Sequence, residues 1–314
     1  MGKLVMFVGL SFFLVVAGAD AAFGQAVLKV GTIPIVHEMP LHAAIANGYF
    51  AQEGIKVETR IVVGGAKLIP ALAGGSLQMG HSAYVSVFPA RARGFDISIV
   101  YPYVQQPPGR DNSAIVVRTD SGINTARDLE GKTLVVNVIK SLNWLYATEW
   151  ISRSGLDPKK VKWTEVPFPT MLVALRTKRV DGAYATEPFV TMEMERGGMK
   201  IIGRPFSEID PAPQISGIVA MEKWLKANKG LVKRFARALR KGTDYVNAHP
   251  EKYVSLLKRY TRMKPEWVPK LIMPQWKYPI NITRLQAASD LALKWGLISK
   301  KQDVRKFVWP TALK

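Results

Sequence analysis

The sequence predicts a mixed α/β protein built from two similar lobes, and three observations support this. From Val27 onward short apolar runs alternate with longer helical ones, the pattern of a mostly parallel sheet covered by helices. One block of sequence recurs at a constant offset of 103 residues. The length of 314 residues at 48% hydrophobic exceeds what one core usually holds, so two domains are expected.

The elements of the first half are separated by small residues that favour turns. Each strand is a short apolar run, and each helix is a longer run bounded by glycine or asparagine. In chain order we predict a strand from Leu28 to Ile33, a helix from Pro40 to Phe50 closed by Asn47-Gly48, a strand from Ile55 to Val63, a helix from Ala66 to Ala73 opened by Gly64-Gly65, and a strand from Leu77 to Gly80.

The repeat extends these elements to the second half. Residues 71–84 (ALAGGSLQMGHSAY) align with residues 174–187 (ALRTKRVDGAYATE), and residues 29–34 (KVGTIP) with residues 132–137 (KTLVVN), all at an offset of 103. Two βαβαβ halves are the economical interpretation. Such patterns also coincide in unrelated α/β units.

Composition excludes several classes of site. The chain has no cysteine, which removes disulfides, thiolate metal sites and a cysteine nucleophile. Its four histidines show no metal-binding spacing, and neither a GxSxG elbow nor a nucleotide-binding glycine motif is present. We therefore predict no metal, no cofactor and no catalytic residue. A general acid or base role for His37, His81 and Glu187 in one cleft is the enzymatic alternative.

The net charge of +20 is concentrated at the C-terminus. Residues 222–314 hold 22 Lys/Arg against 6 Asp/Glu, whereas residues 1–221 carry only +4. The basic residues there alternate with apolar ones at helical spacing, which indicates solvated faces of amphipathic helices. A surface that favours an anionic membrane or an acidic partner is the alternative, and no nucleic-acid binding is expected.

The N-terminus has the pattern of a secretory signal peptide. Lys3 is followed by an apolar run from Leu4 to Ala17 and then by small residues. This run is too short to span a bilayer, so cleavage after Ala21, Ala22 or Ala26 and export to the periplasm are expected, with an uncleaved anchor as the alternative. No cysteine accompanies the site, which rules out a lipoprotein.

Loops at the carboxyl ends of the strands are the expected ligand-binding positions of such a fold. In both halves a strand runs directly into a helix, at Gly64-Gly65 and between Asn137 and Ser141. Free N–H groups and the helix dipole make these positions suitable for small anions. The candidate ligand-binding residues are Ile35, Val36, His37, Gly64, Gly65, Ser82, Ala83, Tyr84, Asn137, Ser141, Thr170 and Glu187.

Several segments of the sequence resemble segments of a known protein family. In order they are GYFAQEGI, DLEGKTLVV and DGAYATEP, within a likeness that spans about residues 28–200. Together they resemble the nitrate/sulfonate/taurine-type solute-binding proteins of ABC importers, with a fainter likeness around His37 to the branch that binds pyrimidine precursors of thiamine.

The resemblance implies a type II periplasmic-binding fold, in which two lobes joined by two crossing strands close on one small molecule. The crossings are expected near Ala114 to Arg118 and Gly217 to Met221. This divides the chain into a signal peptide (1–26), the first part of lobe I (27–113), lobe II (114–216) and the completion of lobe I with the C-terminal helices (217–314). The implied protein is a periplasmic monomer that delivers its ligand to an ABC permease in the inner membrane.

The resemblance also implies that the Glu187 carboxylate reaches the ligand, with Tyr84 as an aromatic wall. Glu187 capping a helix is the alternative. Lys140 is the nearest cation, Trp144 is expected to pack in the core, and Arg110 is a candidate clamp from the crossing segment. A carboxylate that accepts a hydrogen bond from the ligand, together with helix N-termini that bind an anionic group, favours a zwitterion or a small organic acid. A periplasmic enzyme or sensor subunit on the same fold stays open.

Overall fold

The chain folds into two β-sheets, each covered by helices. The structure is a computed structural model and describes residue 2 and residues 25–313. The strands are β1 (Ala26–Thr32), β2 (Ile55–Ile61), β3 (Met79–Ala83), β4 (Ile97–Gln105), β5 (Ser113–Arg118), β6 (Thr133–Val136), β7 (Lys162–Glu165), β8 (Gly182–Thr186), β9 (Met199–Gly203), β10 (Gln214–Met221) and β11 (Gln275–Trp276).

Helices cover both sheets and fill the C-terminal third. They are α1 (Met39–Ala46), α2 (Tyr49–Gln52), α3 (Gly65–Ala73), α4 (Tyr84–Ala92), α5 (Leu142–Arg153), α6 (Phe168–Arg176), α7 (Phe189–Arg196), α8 (Pro205–Ile209), α9 (Glu222–Ala227), α10 (Lys229–Ala248), α11 (Tyr253–Leu257) and α12 (Ile282–Lys294). The predicted signal peptide lies outside the described residues apart from Gly2, Gln25 and Ala26.

The predicted first-half elements all occur, with small shifts at their ends. The single helix expected from Pro40 to Phe50 is two helices, α1 and α2, because Gly48 adopts a left-handed φ of 69° between them. The strand expected from Leu77 to Gly80 begins two residues later and continues to Ala83. His81 therefore lies within a strand near its carboxyl end, where it reaches the space between the sheets.

Five strands of the larger sheet have the same topology as the five strands of the smaller one, which confirms the repeat. Their strand orders are β11-β4-β10-β3-β1-β2 and β7-β6-β8-β5-β9. In both sheets the three βαβαβ strands are parallel, and one strand from outside this unit joins them antiparallel, β10 beside β3 and β5 beside β8. The offset of 103 relates α3 to α6 and β3 to β8 at both of their ends.

The chain passes between the sheets twice, close to the expected places. The expected crossing strands, Ala114 to Arg118 and Gly217 to Met221, each lie within one sheet, as parts of β5 and β10. The passages are residues 106–112, between β4 and β5, and residues 204–213, between β9 and β10. Each antiparallel strand therefore follows a passage and forms the inner part of its sheet.

The basic helix α10 is amphipathic, as its sequence pattern predicts. It buries Phe235 and Leu239, and it packs on α1 through Gly242, where an added Cβ would overlap the backbone oxygen of Pro40. On its outer side Arg237 pairs with Glu53 at 2.6 Å. This part of the basic C-terminal region is therefore a solvated helix face.

Candidate functional site

A small cavity lies between the two sheets, at the carboxyl ends of β1, β3, β6 and β8. Its volume is about 40 Å³, room for a few water-sized groups. Lobe I, the part of the chain that forms the six-stranded sheet, contributes Ile33, Ile35, His37, Gly64, Gly65, His81, Ala83, Ser86 and Ser216. Lobe II, which forms the five-stranded sheet, contributes Ser113, Asn137, Ser141, Leu142, Asn143, Phe168, Thr186 and Phe206.

His37 occupies a short 3-10 turn between β1 and α1 and is buried. Its Nε2 lies 2.8 Å from Asn112 Nδ2. The Asn112 oxygen accepts a bond from Gln106 Nε2 at 2.6 Å, which fixes the amide so that its nitrogen donates to the histidine. Burial, with a smaller effect of neighbouring His81, lowers the pKa of His37 to about 3. His37 is therefore neutral, and its Nδ1 carries the proton.

His81 is held from behind by two buried side chains that the sequence analysis did not single out. Its Nδ1 lies 2.7 Å from Glu38 Oε1 and 2.6 Å from the Tyr103 hydroxyl. Glu38 and Tyr103 are fully buried. Burial and the Glu38 carboxylate raise the pKa of Tyr103 well above its usual value, so the hydroxyl keeps its proton.

The wall from lobe II consists of neutral amides and hydroxyls. Ser113 and Thr186 share a hydrogen bond of 2.8 Å between their hydroxyls. Asn143 donates to the carbonyl oxygen of Tyr184 at 3.3 Å. Ser141 donates to Asn137 Oδ1 at 3.4 Å. This wall carries no ionisable side chain, in contrast to the two histidines opposite.

The first residues of three helices line the cavity, so the N-terminal N–H groups of these helices lie close to it. The three helices are α3 at Gly65, α5 at Leu142 and α6 at Phe168. Gly65 lets the start of α3 pack closely against β3 and α4. A Cβ on Gly65 would overlap the Ser82 side chain and lie 3.0 Å from Ser86 Oγ. No lysine or arginine is among the lining residues, so the groups at the cavity that can attract an anion are the helix N-termini.

Two buried hydroxyls in the cavity wall have no partner. Ser86 Oγ and Ser216 Oγ, from α4 and β10, make no hydrogen bond in the described part of the chain. Both residues line the cavity and are at most 3% exposed. Buried polar atoms without a partner are rare and costly in folded proteins, so these hydroxyls are candidates to bind a ligand.

The two lobes touch around the cavity. Asn137 Nδ2 donates to the Val63 carbonyl at 3.3 Å, and the Val36 N–H donates to the Glu187 carbonyl at 3.1 Å. Ile33 and Ile35, which leave β1, pack into the apolar cluster of lobe II. The arrangement is therefore closed, with the ligand position shielded from solvent.

The structure brings seven of the twelve predicted residues to the cavity and places five elsewhere. The seven are Ile35, His37, Gly64, Gly65, Ala83, Asn137 and Ser141. Of the others, Val36 is buried behind the wall, Ser82 donates to the Ala83 carbonyl, and Tyr84 is buried in the core at the start of α4. Thr170 is exposed in the first turn of α6, where it donates to the Pro167 carbonyl.

Glu187 does not line the cavity; it lies buried behind it at the start of α7. Its carboxylate accepts bonds from the Thr191 N–H at 3.0 Å and the Thr191 hydroxyl at 2.8 Å. A longer contact of 3.4 Å joins it to the N–H of Ile272 in the C-terminal region. Burial raises the pKa of Glu187 to about 7. This is the geometry of the helix-capping alternative.

The remaining candidates lie away from the cavity. Arg110 is exposed, and its N–H bonds the Pro107 carbonyl in a turn of the first passage between the sheets. Lys140 is exposed with a left-handed φ of 61°. Trp144, expected in the core, is half-buried and packs against the core, where it meets Trp163 edge to face at 6.0 Å. None of the three is among the lining residues.

The repeat contains a signal for part of what was missed. The residues 103 positions after Gly65 and Ala83 are Phe168 and Thr186, and Phe168 and Thr186 also line the cavity. Ser113 and Ser216 follow the passages between the sheets, and Phe206 lies within the second one, so a local motif does not mark them. Their role depends on how the two sheets face each other.

The described residues contain neither a metal-binding cluster nor a membrane-spanning helix. Between residues 25 and 313 no group of three or more His, Cys, Asp or Glu side chains is placed to hold a metal ion. Within the same range no helix is both long and apolar enough to cross a bilayer.

Comparisons with known proteins agree on one family. The chain is 25% identical over 262 residues to a putative ABC transporter periplasmic binding protein of Brachyspira hyodysenteriae, covering 78% of this chain and 72% of that protein. It is 23% identical over 246 residues to a 4-amino-5-hydroxymethyl-2-methylpyrimidine phosphate synthase of Saccharomyces cerevisiae, covering 74% of this chain and 69% of that protein.

Among solved structures, the fold matches the alkanesulfonate-binding protein SsuA from Xanthomonas axonopodis, bound to MOPS. The TM-score is 0.77 at 19% identity, over 90% of this chain and 98% of that one. This likeness supports the predicted binding-protein fold. Residues 36–253 match the family described as NMT1/THI5 like, which is more than half of the chain. The protein is thus a member of the NMT1/THI5-like family.

Proposed function

We propose that this protein is the solute-binding component of an ABC importer and closes its two lobes around one small polar molecule. The observation that carries the proposal is the shielded cavity between two lobes of the same topology, lined from both sides and containing two buried hydroxyls without partners. The relative of Brachyspira hyodysenteriae, a putative ABC transporter binding protein, supports the same assignment.

The ligand in this proposal is a small zwitterion or organic acid. The N-termini of α3, α5 and α6 favour a negatively charged group, although no cationic side chain lines the cavity. The volume of about 40 Å³ suits a small polar molecule, and a bulky ligand requires the lobes to open further.

Closure couples binding to transport. A ligand between the lobes touches His37 and His81 on one side and Asn137 and Asn143 on the other only when the lobes are closed. Binding therefore shifts an open–closed equilibrium toward the closed form. The closed protein, exported to the periplasm and monomeric, then delivers the solute to a permease in the inner membrane.

Catalysis is the competing function, favoured by the pyrimidine phosphate synthase relative and by a neutral histidine in the cavity. The proposal assigns binding instead. His37 is tied to Asn112 at Nε2, and His81 is tied to Glu38 and Tyr103 at Nδ1. Each ring therefore has one nitrogen available to a solute, which suffices to bind it.

Thermal shift against a solute panel tests the proposal. The panel contains taurine, sulfonates, aliphatic and aromatic carboxylates, nitrate and pyrimidines, and each hit is analysed afterwards for chemical change. A ligand at a hundred times its dissociation constant stabilises the fold by about 2.7 kcal/mol, which shifts the melting temperature measurably. A saturable stabiliser recovered unchanged supports the proposal, whereas turnover of the hit supports catalysis. If no solute in the panel stabilises the protein, this result contradicts the proposal that it is a receptor for a small solute.

A matched pair of variants localises any hit. Asn143→Ala removes an amide from the lobe II wall, and Asn124→Ala removes an exposed amide of the same lobe that bonds Lys200 on the surface. Asn143→Ala is expected to weaken binding by about tenfold, and Asn124→Ala to leave it unchanged. Equal effects would place the ligand outside this cavity.

A further inference from the structure

Glu38 is a fully buried carboxylate directly behind the cavity wall. It lies at the end of the 3-10 turn that holds His37, and it does not itself line the cavity. Its Oε1 contacts His81 Nδ1 at 2.7 Å and the Ile33 N–H at 3.4 Å. Its Oε2 faces the Tyr103 hydroxyl at 3.5 Å. A buried carboxylate with this set of partners acts on the cavity through His81.

One arrangement of protons satisfies all these contacts. The Tyr103 hydroxyl, which keeps its proton, donates to Glu38 Oε2. His81 Nδ1 carries a proton and donates it to Glu38 Oε1, and it shares the same proton with the Tyr103 hydroxyl oxygen 2.6 Å away, so the shortest contact is satisfied as well. The bond made by one ring nitrogen sets the state of the other, so a ring with its single proton on Nδ1 leaves Nε2 as an acceptor. A carboxylate behind the ring also strengthens that acceptor.

The neighbouring His37 offers a hydrogen-bond donor to the cavity, whereas His81 offers an acceptor. The Nε2 of His37 accepts from Asn112, so its Nδ1 is a donor. The His37 and His81 rings are nearly parallel, at 24° and with their centroids 5.8 Å apart. The lobe I wall therefore presents one donor and one acceptor side by side, and the acceptor has a negative charge behind it.

We propose that Glu38, acting through His81, makes the cavity select solutes with an amine or other N–H donor over anions of equal size that lack one. The inference rests on the proposed function and names the feature that its ligand must carry. A donor on the solute bonds His81 Nε2. A methyl group at the same place leaves that acceptor unpaired in a closed cavity, and an oxyanion there is repelled by the Glu38 carboxylate.

Two matched solute pairs test the selection by isothermal titration. Taurine is compared with propane-1-sulfonate and β-alanine with butyrate, so that each pair differs only in an ammonium replaced by methyl. The native protein is expected to bind the amine of a pair about tenfold more tightly, as expected for a buried hydrogen bond to a charged group. Glu38→Gln, which keeps the size but removes the charge, is expected to reduce this preference to about threefold or less.

A control variant separates positioning from stability. Glu222→Gln alters a second carboxylate of lobe I, which is partly buried and lies away from the cavity. Glu222 accepts a hydrogen bond from Ser98 at 2.9 Å and pairs with Arg91. This variant is expected to keep the full preference for the amine. A Glu38→Gln protein that also keeps it, or a native protein that binds both members of a pair equally, overturns the inference.

The state of His81 gives a readout that needs neither a ligand nor a variant. Nitrogen-15 NMR of the native protein at pH 7 is expected to show protonated Nδ1 and bare Nε2 on His81. If no solute in the wider panel stabilises the protein, the proposed function fails, and this spectrum alone decides the role of Glu38. A proton on Nε2, whether the ring is neutral or doubly protonated, overturns the inference.

Discussion

The two lobes share a topology but differ in the chemistry they bring to the cavity. Strand β3 ends in His81-Ser82-Ala83, and the corresponding part of β8 is Tyr184-Ala185-Thr186. Lobe I therefore presents histidines backed by a buried carboxylate, whereas lobe II presents amides and hydroxyls. The comparison teaches that the duplicated scaffold places the strand ends, and that substitutions at those ends decide what the cavity recognises.

The largest expected difference between the lobes is in stability. Glu38→Ala in lobe I is expected to lower the free energy of unfolding by about 3 kcal/mol, because it removes the buried carboxylate that both His81 and Tyr103 contact. Thr186→Val in lobe II removes one hydroxyl bond to Ser113 and is expected to cost about 1 kcal/mol. Urea unfolding with unchanged m-values measures both. Equal losses of unfolding free energy in the two variants would show that the buried Glu38 carboxylate stabilises the protein no more than one hydroxyl hydrogen bond does.

The second expected effect is a dependence of stability on pH that differs between lobe I and the junction of the lobes. His37 has a pKa lowered from 6.5 to about 3, so its contribution is present above pH 6.5 and lost as the pH falls toward 3. Glu187 has a pKa raised from 4.5 to about 7, so its contribution is present below pH 4.5 and lost as the pH rises through 7. The two slopes oppose each other.

Glu187→Gln separates them, because glutamine resembles the protonated acid. Relative to the native protein, the variant is expected to gain on the order of 3 kcal/mol between pH 4 and pH 8, at about 1.4 kcal/mol per pKa unit. Asp111, whose pKa burial also raises to about 7, contributes equally to both proteins and cancels. Urea unfolding across this range is the measurement. A difference between the two proteins that stays constant with pH contradicts the assignment.

A smaller effect is expected at the two hydroxyls without partners. Ser86→Ala and Ser216→Ala are each expected to weaken the binding of a solute identified by thermal shift by about fivefold, the value of one hydrogen bond. The free energy of unfolding without ligand should stay the same or rise slightly, because no protein bond is lost. Titration calorimetry and urea unfolding together check this. A clear loss of stability with unchanged affinity would remove the hydroxyls from the site.

The smallest effect is expected at the rim where the lobes meet. Lys67 of α3 and Glu165 of β7 lie 3.7 Å apart, and both are largely exposed. Lys67→Ala is expected to change stability by at most about 0.5 kcal/mol, and less at high salt. Urea unfolding at low and high salt checks this. A loss above about 1 kcal/mol would mean that the rim, rather than the cavity, holds the lobes together.

Much of the fold could be predicted because local patterns carry it. The alternation of apolar runs, the glycines between them and the 103-residue repeat predict the shared topology of both sheets. The helix starts at Gly64-Gly65 and after Ser141 were predicted for the same reason, since a strand that runs into a helix is visible in sequence. Glu187 shows the limit, because a short motif does not tell whether its carboxylate faces a ligand or caps its own helix.

Periodicity and repeats are properties of neighbouring residues, so the two lobes, the ends of their strands and the family can be inferred from the sequence. The positions of Glu38 and Tyr103 behind His81, and the lack of a partner for Ser86 and Ser216 among the described residues, depend on how distant segments pack. Tyr103 and Ser216 come from β4 and β10, which are far apart in sequence but adjacent in the sheet, where β10 in turn pairs with β3. The chemistry of a cavity depends on such contacts, which arise when two sheets pack face to face.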